Sequence, residues 1–348
     1  MAENILPRSN AFLLGQQVAE DIFLRAWKNG TMHHAWILSG PQGVGKATLA
    51  YRIARFLVWA DWQKRENYTS LNVPENAEIF QQIAKGSYPD VKVLERDYIE
   101  TDRKKIISSI QKGEALDEDD LANLRRSAFI RVDDVRKINE FLAKTSFNDG
   151  WRVVIIDAAD DMNKSAANAL LKILEEPPAR TVLLLVSHNI GTLLPTIRSR
   201  CAKLNLRSLN DGEVSSLLRR YRAELSEEMV LKVAQMSRGS IGRAILYADL
   251  NAPDLYNNLC SLLYAKQKFS IEKMLEFCAE ATADEDKFSL LQDFILQFIK
   301  ENLSQASDSR ALYECWSKTQ RMYADCININ MDKKQMLIKL LTDICKVL

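Results

Sequence analysis

Apolar positions in the first two hundred residues switch repeatedly between helical and strand spacing. Val18, Ile22 and Ala26, with Phe23 and Trp27 beside them, recur every three to four residues and predict an opening helix that Gly30 closes. Ala35-Trp36-Ile37-Leu38 is a short continuous apolar run, the pattern of a buried strand, and a helix from Ala47 to Trp59 carries Leu49, Ile53 and Phe56 on one face. After a polar stretch with a short helix around Glu78 to Ala84, Val91 to Leu94 reads as a second strand. Asp133 is placed to cap a helix whose inner face is Val135, Ile138 and Leu142. Val153 to Asp157 and Thr181 to Val186 are further apolar strands, and Lys203 to Leu206 is a final short one. Between the first two lies a helix with the stripe Ala167, Leu170, Leu171 and Leu174, stopped by Pro177-Pro178. Such alternation predicts a parallel sheet with helices on both faces.

After about Leu209 the spacing is helical throughout. Leu217, Val230, Val233 and Ala244 mark three short amphipathic helices, and Asn251-Ala252-Pro253 is expected to be a linker. Beyond Pro253 neither glycine nor proline interrupts the chain. Leu291, Phe294, Ile295 and Phe298, and then Leu337, Leu340, Leu341 and Ile344, follow i, i+3, i+4, i+7. The expected domains are 1–208, an α/β nucleotide-binding domain; 209–250, a three-helix lid; and 254–348, an all-α bundle. Residues 96–128 are charge-rich and read as a solvated insertion.

Composition narrows the class. At 348 residues, with 27% charged and 47% hydrophobic residues, the chain has ordinary globular proportions and room for more than one core. No apolar run approaches the roughly 18 residues that span a bilayer, and no basic-then-apolar leader opens the sequence, so no membrane association and a cytoplasmic location are expected. Six dispersed cysteines without a C-x-x-C pair, and three histidines, argue for buried thiols; no zinc or other metal site of that kind is expected. A net charge of +1 lacks the basic excess of a protein that grips nucleic acid alone.

Chemistry concentrates at Gly40-Pro41-Gln42-Gly43-Val44-Gly45-Lys46. The run matches G-x-x-x-x-G-K between a strand and a helix, where glycines let backbone N–H groups turn toward phosphate oxygens and the lysine adds charge. Gly40, Gly43, Val44, Gly45, Lys46, Ala47 and Thr48 are the candidate phosphate-loop residues, and Asp157, ending a strand, is the candidate to face Mg²⁺. Two positions depart from a working hydrolase. Ala47 lacks the hydroxyl that coordinates Mg²⁺, with Thr48 one position late and turned about 100° around the helix. Ala158 stands where a catalytic acid often follows the strand aspartate. ATP or ADP with Mg²⁺ is the ligand class for this degenerate site, and the residues leave open whether it is filled or vestigial. Arg200, in Ser199-Arg200-Cys201, is either a surface residue or one that reaches a neighbouring subunit's γ-phosphate, and Arg243 either reaches the nucleotide from above or is plain surface.

Gly40 to Lys46, the run Ser165-Ala166-Ala167-Asn168-Ala169-Leu170-Leu171-Lys172-Ile173-Leu174-Glu175-Glu176-Pro177-Pro178, and Ser199-Arg200-Cys201 together resemble bacterial clamp-loader subunits of the AAA+ group, and among them the delta-prime family of DNA polymerase III. The resemblance covers about residues 7–250, with the last helices matching by position and character. It implies a ring containing ATP-hydrolysing motor subunits and a delta subunit, which loads a sliding clamp on primed DNA. Delta-prime subunits are its largely non-hydrolysing members, with Arg200 matching their arginine finger, catalytic in trans, and the C-terminal bundle forming the collar. As part of a DNA-directed DNA polymerase holoenzyme, a nucleotidyltransferase complex, such a chain is expected to have neither polymerase nor ATPase activity of its own. The competing expectations are a hydrolytically active AAA+ ATPase, motor or remodelling, and a nucleotide-binding adaptor with an inert Arg200. Many relatives carry a four-cysteine zinc module between the phosphate loop and the second strand; residues 61–90 contain no cysteine.

Overall fold

The computed structural model of the chain describes residues 6–112, 124–146, 150–264, 271–303, 309–329 and 331–347. By their contacts they form two compact units, Met1–Ala223 with Arg238–Arg243, and Glu224–Ser237 with Ala244–Leu348.

The first unit is built on β1 (Ala35–Ser39), β2 (Val91–Glu95), β3 (Arg152–Asp157), β4 (Thr181–Ser187) and β5 (Ala202–Asn205), all parallel in the order β2-β3-β4-β1-β5. Its helices are α1 (Gln17–Lys28), α2 (Lys46–Trp59), α3 (Glu78–Ala84), α4 (Glu100–Lys112), α5 (Val132–Leu142), α6 (Lys164–Glu175), the single turn α7 (Pro195–Arg198) and α8 (Asp211–Tyr221). Successive strand residues point to opposite faces, so one sheet has two cores. Trp36, Leu38, Val153, Ile155, Leu184 and Val186 pack with Phe23 and Trp27 of α1 and Leu49, Ile53 and Phe56 of α2. Ala35, Ile37, Val154, Ile156, Leu183 and Leu185 pack with Val135 and Ile138 of α5 and Leu170 and Leu174 of α6. The parallel sheet between two helical layers expected from the strand runs is therefore present.

Three expectations change in detail. In α1 the buried face is Ala19, Phe23, Leu24 and Trp27, whereas Val18 is 71% and Ile22 38% exposed. The reason is Glu20, which is buried on the inner face because Arg52 of α2 pairs with it at 2.7 Å, so a charged residue occupies a core-facing position. Asp133 lies inside the first turn of α5 and is not its cap; the Asp134 carboxylate accepts from the Arg131 N–H at 3.3 Å instead. Asn251-Ala252-Pro253 is no extended linker. Asn251 takes a left-handed turn at φ 51°, and the next helix begins at Ala252 with Pro253 in its first turn, where its missing N–H costs nothing. Of the charged insertion, α4 is mostly exposed and its flanks meet at the Tyr98–Arg126 bridge, while residues 113–123, including the acidic run at 117–120, lie outside the described residues.

The second unit is helical: α9 (Glu227–Met236), most of α10 (Ile241–Asp249), α11 (Ala252–Tyr264), α12 (Ile271–Thr282), α13 (Glu285–Asn302), α14 (Ser309–Ile329) and α15 (Lys333–Val347). The stripes Leu291, Phe294, Ile295, Phe298 and Leu337, Leu340, Leu341, Ile344 are buried, and Tyr247 and Tyr256 set their rings edge-on against Phe294 at 5.8 and 5.1 Å. Asp284 caps α13 by accepting from the N–H groups of Asp286 and Lys287. Among the described residues no helix is long and apolar enough to cross a membrane, and all six cysteines are free.

The phase of α1 is open to test. Phe23→Ala empties a fully buried site and is expected to lower unfolding free energy by about 3–5 kcal/mol. Val18→Ala should stay within about 0.5 kcal/mol of wild type in the same urea titration; the reverse ranking would return Val18 to the core.

Candidate functional site

All five strands run in the same direction, and at their carboxyl ends the turn after β1 becomes the phosphate loop. Gly40, Gly43 and Gly45 have φ of 151°, 77° and 100°, a region that side chains rarely adopt. A Cβ on Gly43 would collide with Ser240 Oγ, and one on Gly40 with the Leu206 carbonyl. The segment before α10 is docked on the loop. Ser240 Oγ donates to the Gln42 carbonyl at 2.8 Å, and the Gly242 N–H donates to the Gly43 carbonyl at 3.0 Å. On the other side buried Gln16 donates to the carbonyls of Val44 (3.3 Å) and Arg207 (2.9 Å) and accepts from the Arg207 N–H at 3.2 Å. Neither Ser240 nor Gln16 was singled out from sequence, because a lone polar residue ahead of a helix carries no signal of a partner so far along the chain.

Lys46 opens α2 and is only 3% exposed. Its ammonium donates to the loop's own carbonyls, Gly40 O at 2.7 Å and Pro41 O. Burial lowers its pKa to about 8, against the attraction of the Asp157 and Asp160 carboxylates. Asp157 is driven the opposite way, up to about 6, first by burial and then by Glu95, its register partner on β2; Lys46 opposes this. Ala47 offers no oxygen, and Thr48 is buried within α2. An octahedral Mg²⁺ site needs hard oxygen donors, and position 47, where the loop's own hydroxyl would stand, offers no side-chain oxygen. The loop's backbone fits a phosphate, while residue 47 supplies no side-chain ligand to a metal. Among the described residues no three His, Cys, Asp or Glu side chains gather as metal ligands.

Asp160, just past β3, is the best-connected carboxylate of the site. It accepts from Ser187 Oγ (2.9 Å), the His188 N–H (2.5 Å), the Asn189 N–H (3.3 Å) and Thr192 Oγ1 (2.9 Å). Asp161 pairs with Arg96 at 3.2 Å. His188 is kept below its ordinary pKa by burial and by Lys46.

The structure thus brings Gly40, Gly43, Val44, Gly45, Lys46 and Asp157 together, with the backbone next to Arg243 on the loop. Arg243 itself has an exposed side chain, and its N–H donates to Ser240 Oγ at 3.2 Å. Arg200 follows α7 and bonds elsewhere, to Glu175 at the end of α6 (2.9 Å) and to the Thr196 carbonyl (3.2 Å), with its side chain 37% exposed. Cys201 behind it is buried, its thiol pushed up to about 12, far from a nucleophile's range.

Residues 15–210, which hold the phosphate loop, Asp157 and Arg200, match the family model described as DNA polymerase III, delta subunit. The chain belongs to that family. A DNA polymerase III subunit delta' from Pseudomonas aeruginosa is 36% identical over 170 residues, 49% of this chain and 42% of that protein. The Escherichia coli subunit delta' is 28% identical over 238 residues, covering 68% and 61% of the two chains. A DNA polymerase III subunit gamma from Buchnera aphidicola is 27% identical over 249 residues, covering 70% and 59%. Against these relatives this delta-family chain spans about half of their own length. A Thermotoga maritima gamma-subunit-related structure aligns over 93% of this chain and 99% of its own at 19% identity, with a TM-score of 0.44, too low to add to the assignment.

The raised Asp157 pKa has a definite sign. Between the unfolded value near 3.8 and the folded value of about 6, the folded state holds the extra proton, so this group's contribution favours folding at low pH and is lost as pH rises through about 6. Asp157→Asn removes that dependence. The variant is expected to gain on wild type by on the order of 2–3 kcal/mol between pH 4 and pH 7, read from urea unfolding at both; a constant gap would contradict the burial account.

Proposed function

We propose that the chain serves as a delta-prime-type member of a DNA polymerase III clamp loader, a ring member that does not hydrolyse ATP itself and that lends Arg200 to a neighbouring motor subunit's ATP. The reading rests on one contrast. The chain's own phosphate loop has alanine at 47 and at 158, where a Mg²⁺-coordinating hydroxyl and a catalytic acid would stand. Arg200 is held by a half-exposed pair with Glu175. Exposed ion pairs contribute little, about 0–1 kcal/mol, so exchanging Glu175 for a phosphate in a dry subunit interface is an easy step for the guanidinium. There its planar fork would match phosphate oxygens and stabilise charge that grows in the transition state.

Within the chain's own loop the glycine backbone and Lys46 would hold the phosphates of ATP or ADP, with Gly40, Gly43, Val44, Gly45, Ala47, Thr48, Asp157 and Arg243 around them. With no acid at 158 to orient water, binding there would not lead to hydrolysis. In this reading residues 254–348 form the collar, the partners are motor subunits, a delta subunit and the sliding clamp, and primed DNA is met through the assembled ring in the cytoplasm.

The test is ATP turnover of a reconstituted loader, stimulated by clamp and primed DNA. Arg200→Ala should slow the one site it serves by about 10³-fold or more with assembly intact, so that total turnover falls by that site's share. Unchanged turnover would reduce Arg200 to surface and the chain to scaffold.

A further inference from the structure

The loop after β4 starts at Ser187, the register partner of Ser39 at the end of β1, so it leaves the sheet beside the start of the phosphate loop. Its donors, however, are already taken. Two side-chain hydroxyls, Ser187 and Thr192, and two backbone N–H groups, His188 and Asn189, converge on the carboxylate of Asp160. Ser187 is fully buried, so its hydroxyl has little access to water as an alternative. The loop closes on itself as well, with Thr192 Oγ1 donating to the Asn189 carbonyl at 2.7 Å and Asn189 Oδ1 accepting from Gly191 at 3.0 Å. It then runs into Leu193 and Ile197, both buried against the α6 core, and within the next turn reaches Arg200.

We propose that Asp160 is a positioning residue: its carboxylate takes the place of an anionic ligand in organising the 187–192 loop, and so fixes the segment that presents Arg200 whatever nucleotide the chain's own loop holds. The proposal rests on the trans role of Arg200. A chain whose function is to offer an arginine outward gains from holding it in one geometry throughout a neighbour's cycle. An internal anion does this permanently, whereas a bound phosphate would do it only part of the time. Charge-assisted bonds to a carboxylate are stronger than neutral ones, and four on one group make a rigid node. Asp160 touches no reacting atom in this scheme and acts through the loop.

Amide hydrogen exchange on the full chain, with and without ATP, reads the node directly. In wild type the His188 and Asn189 amides should be equally protected in both conditions. Asp160→Asn, which keeps the shape but turns a donor toward donors, should speed their exchange about tenfold or more. In the reconstituted loader the same variant should lower kcat at the Arg200-dependent site at saturating chain concentration while leaving KM for ATP unchanged. A loss of stability or assembly alone would instead be cured by adding more chain. Marked slowing of wild-type exchange by ATP would overturn the proposal, because the ligand would then be the organiser. Wild-type protection in both Asp160→Asn and Asp160→Ala would overturn it too. Arg200→Ala without effect on turnover would remove the trans role yet leave the exchange result standing, so the two failures are distinguishable.

Discussion

A buried ammonium must find oxygen partners, and how Lys46 finds them shapes everything around it. Its ammonium donates to the Gly40 and Pro41 carbonyls and feels the charge of the Asp157 and Asp160 carboxylates. That arrangement is possible only because the loop glycines take left-handed backbone and the segment at Ser240 and Gly242 lies directly on Gly43. The cation, the loop and the docked segment form one self-satisfied unit at the carboxyl ends of the strands.

Other buried polar groups of this unit are satisfied internally. Asp160 gathers the donors of the loop after β4, and Gln16 ties Val44 to Arg207. Arg52 and Arg55 of α2 reach back to hold the segment at residues 8–11 through the carbonyls of Arg8, Asn10 and Ala11. Arg200, by contrast with these buried groups, is half-exposed, held by Glu175 and the Thr196 carbonyl. The proposed division of labour is a phosphate loop without hydrolytic side chains in this chain, and an arginine offered to an anion that another subunit would supply.

The sheet was legible because its central strands β1, β3 and β4 are buried on both faces, so their apolar runs stand out without any knowledge of the partners. The phosphate loop was legible for a similar reason, since its glycines, lysine and flanking elements are contiguous. The phase of α1 was not. Glu20 occupies a core position by virtue of Arg52, and Val18 and Ile22 are apolar on the outside, so the local pattern points the wrong way. Asp160 carries no local signal either; its importance comes from donors 27 to 32 positions later, a separation that no local pattern encodes. The same holds for Ser240, whose acceptor lies 198 positions earlier.

The most direct measurement is ATP turnover by the isolated chain, wild type against Lys46→Ala, with Mg²⁺ present and no motor subunit. A loop without a hydroxyl at 47 or an acid at 158 predicts the same background rate for both proteins. Turnover comparable to an ordinary P-loop ATPase, abolished by Lys46→Ala, would contradict the account and make this chain a motor in its own right.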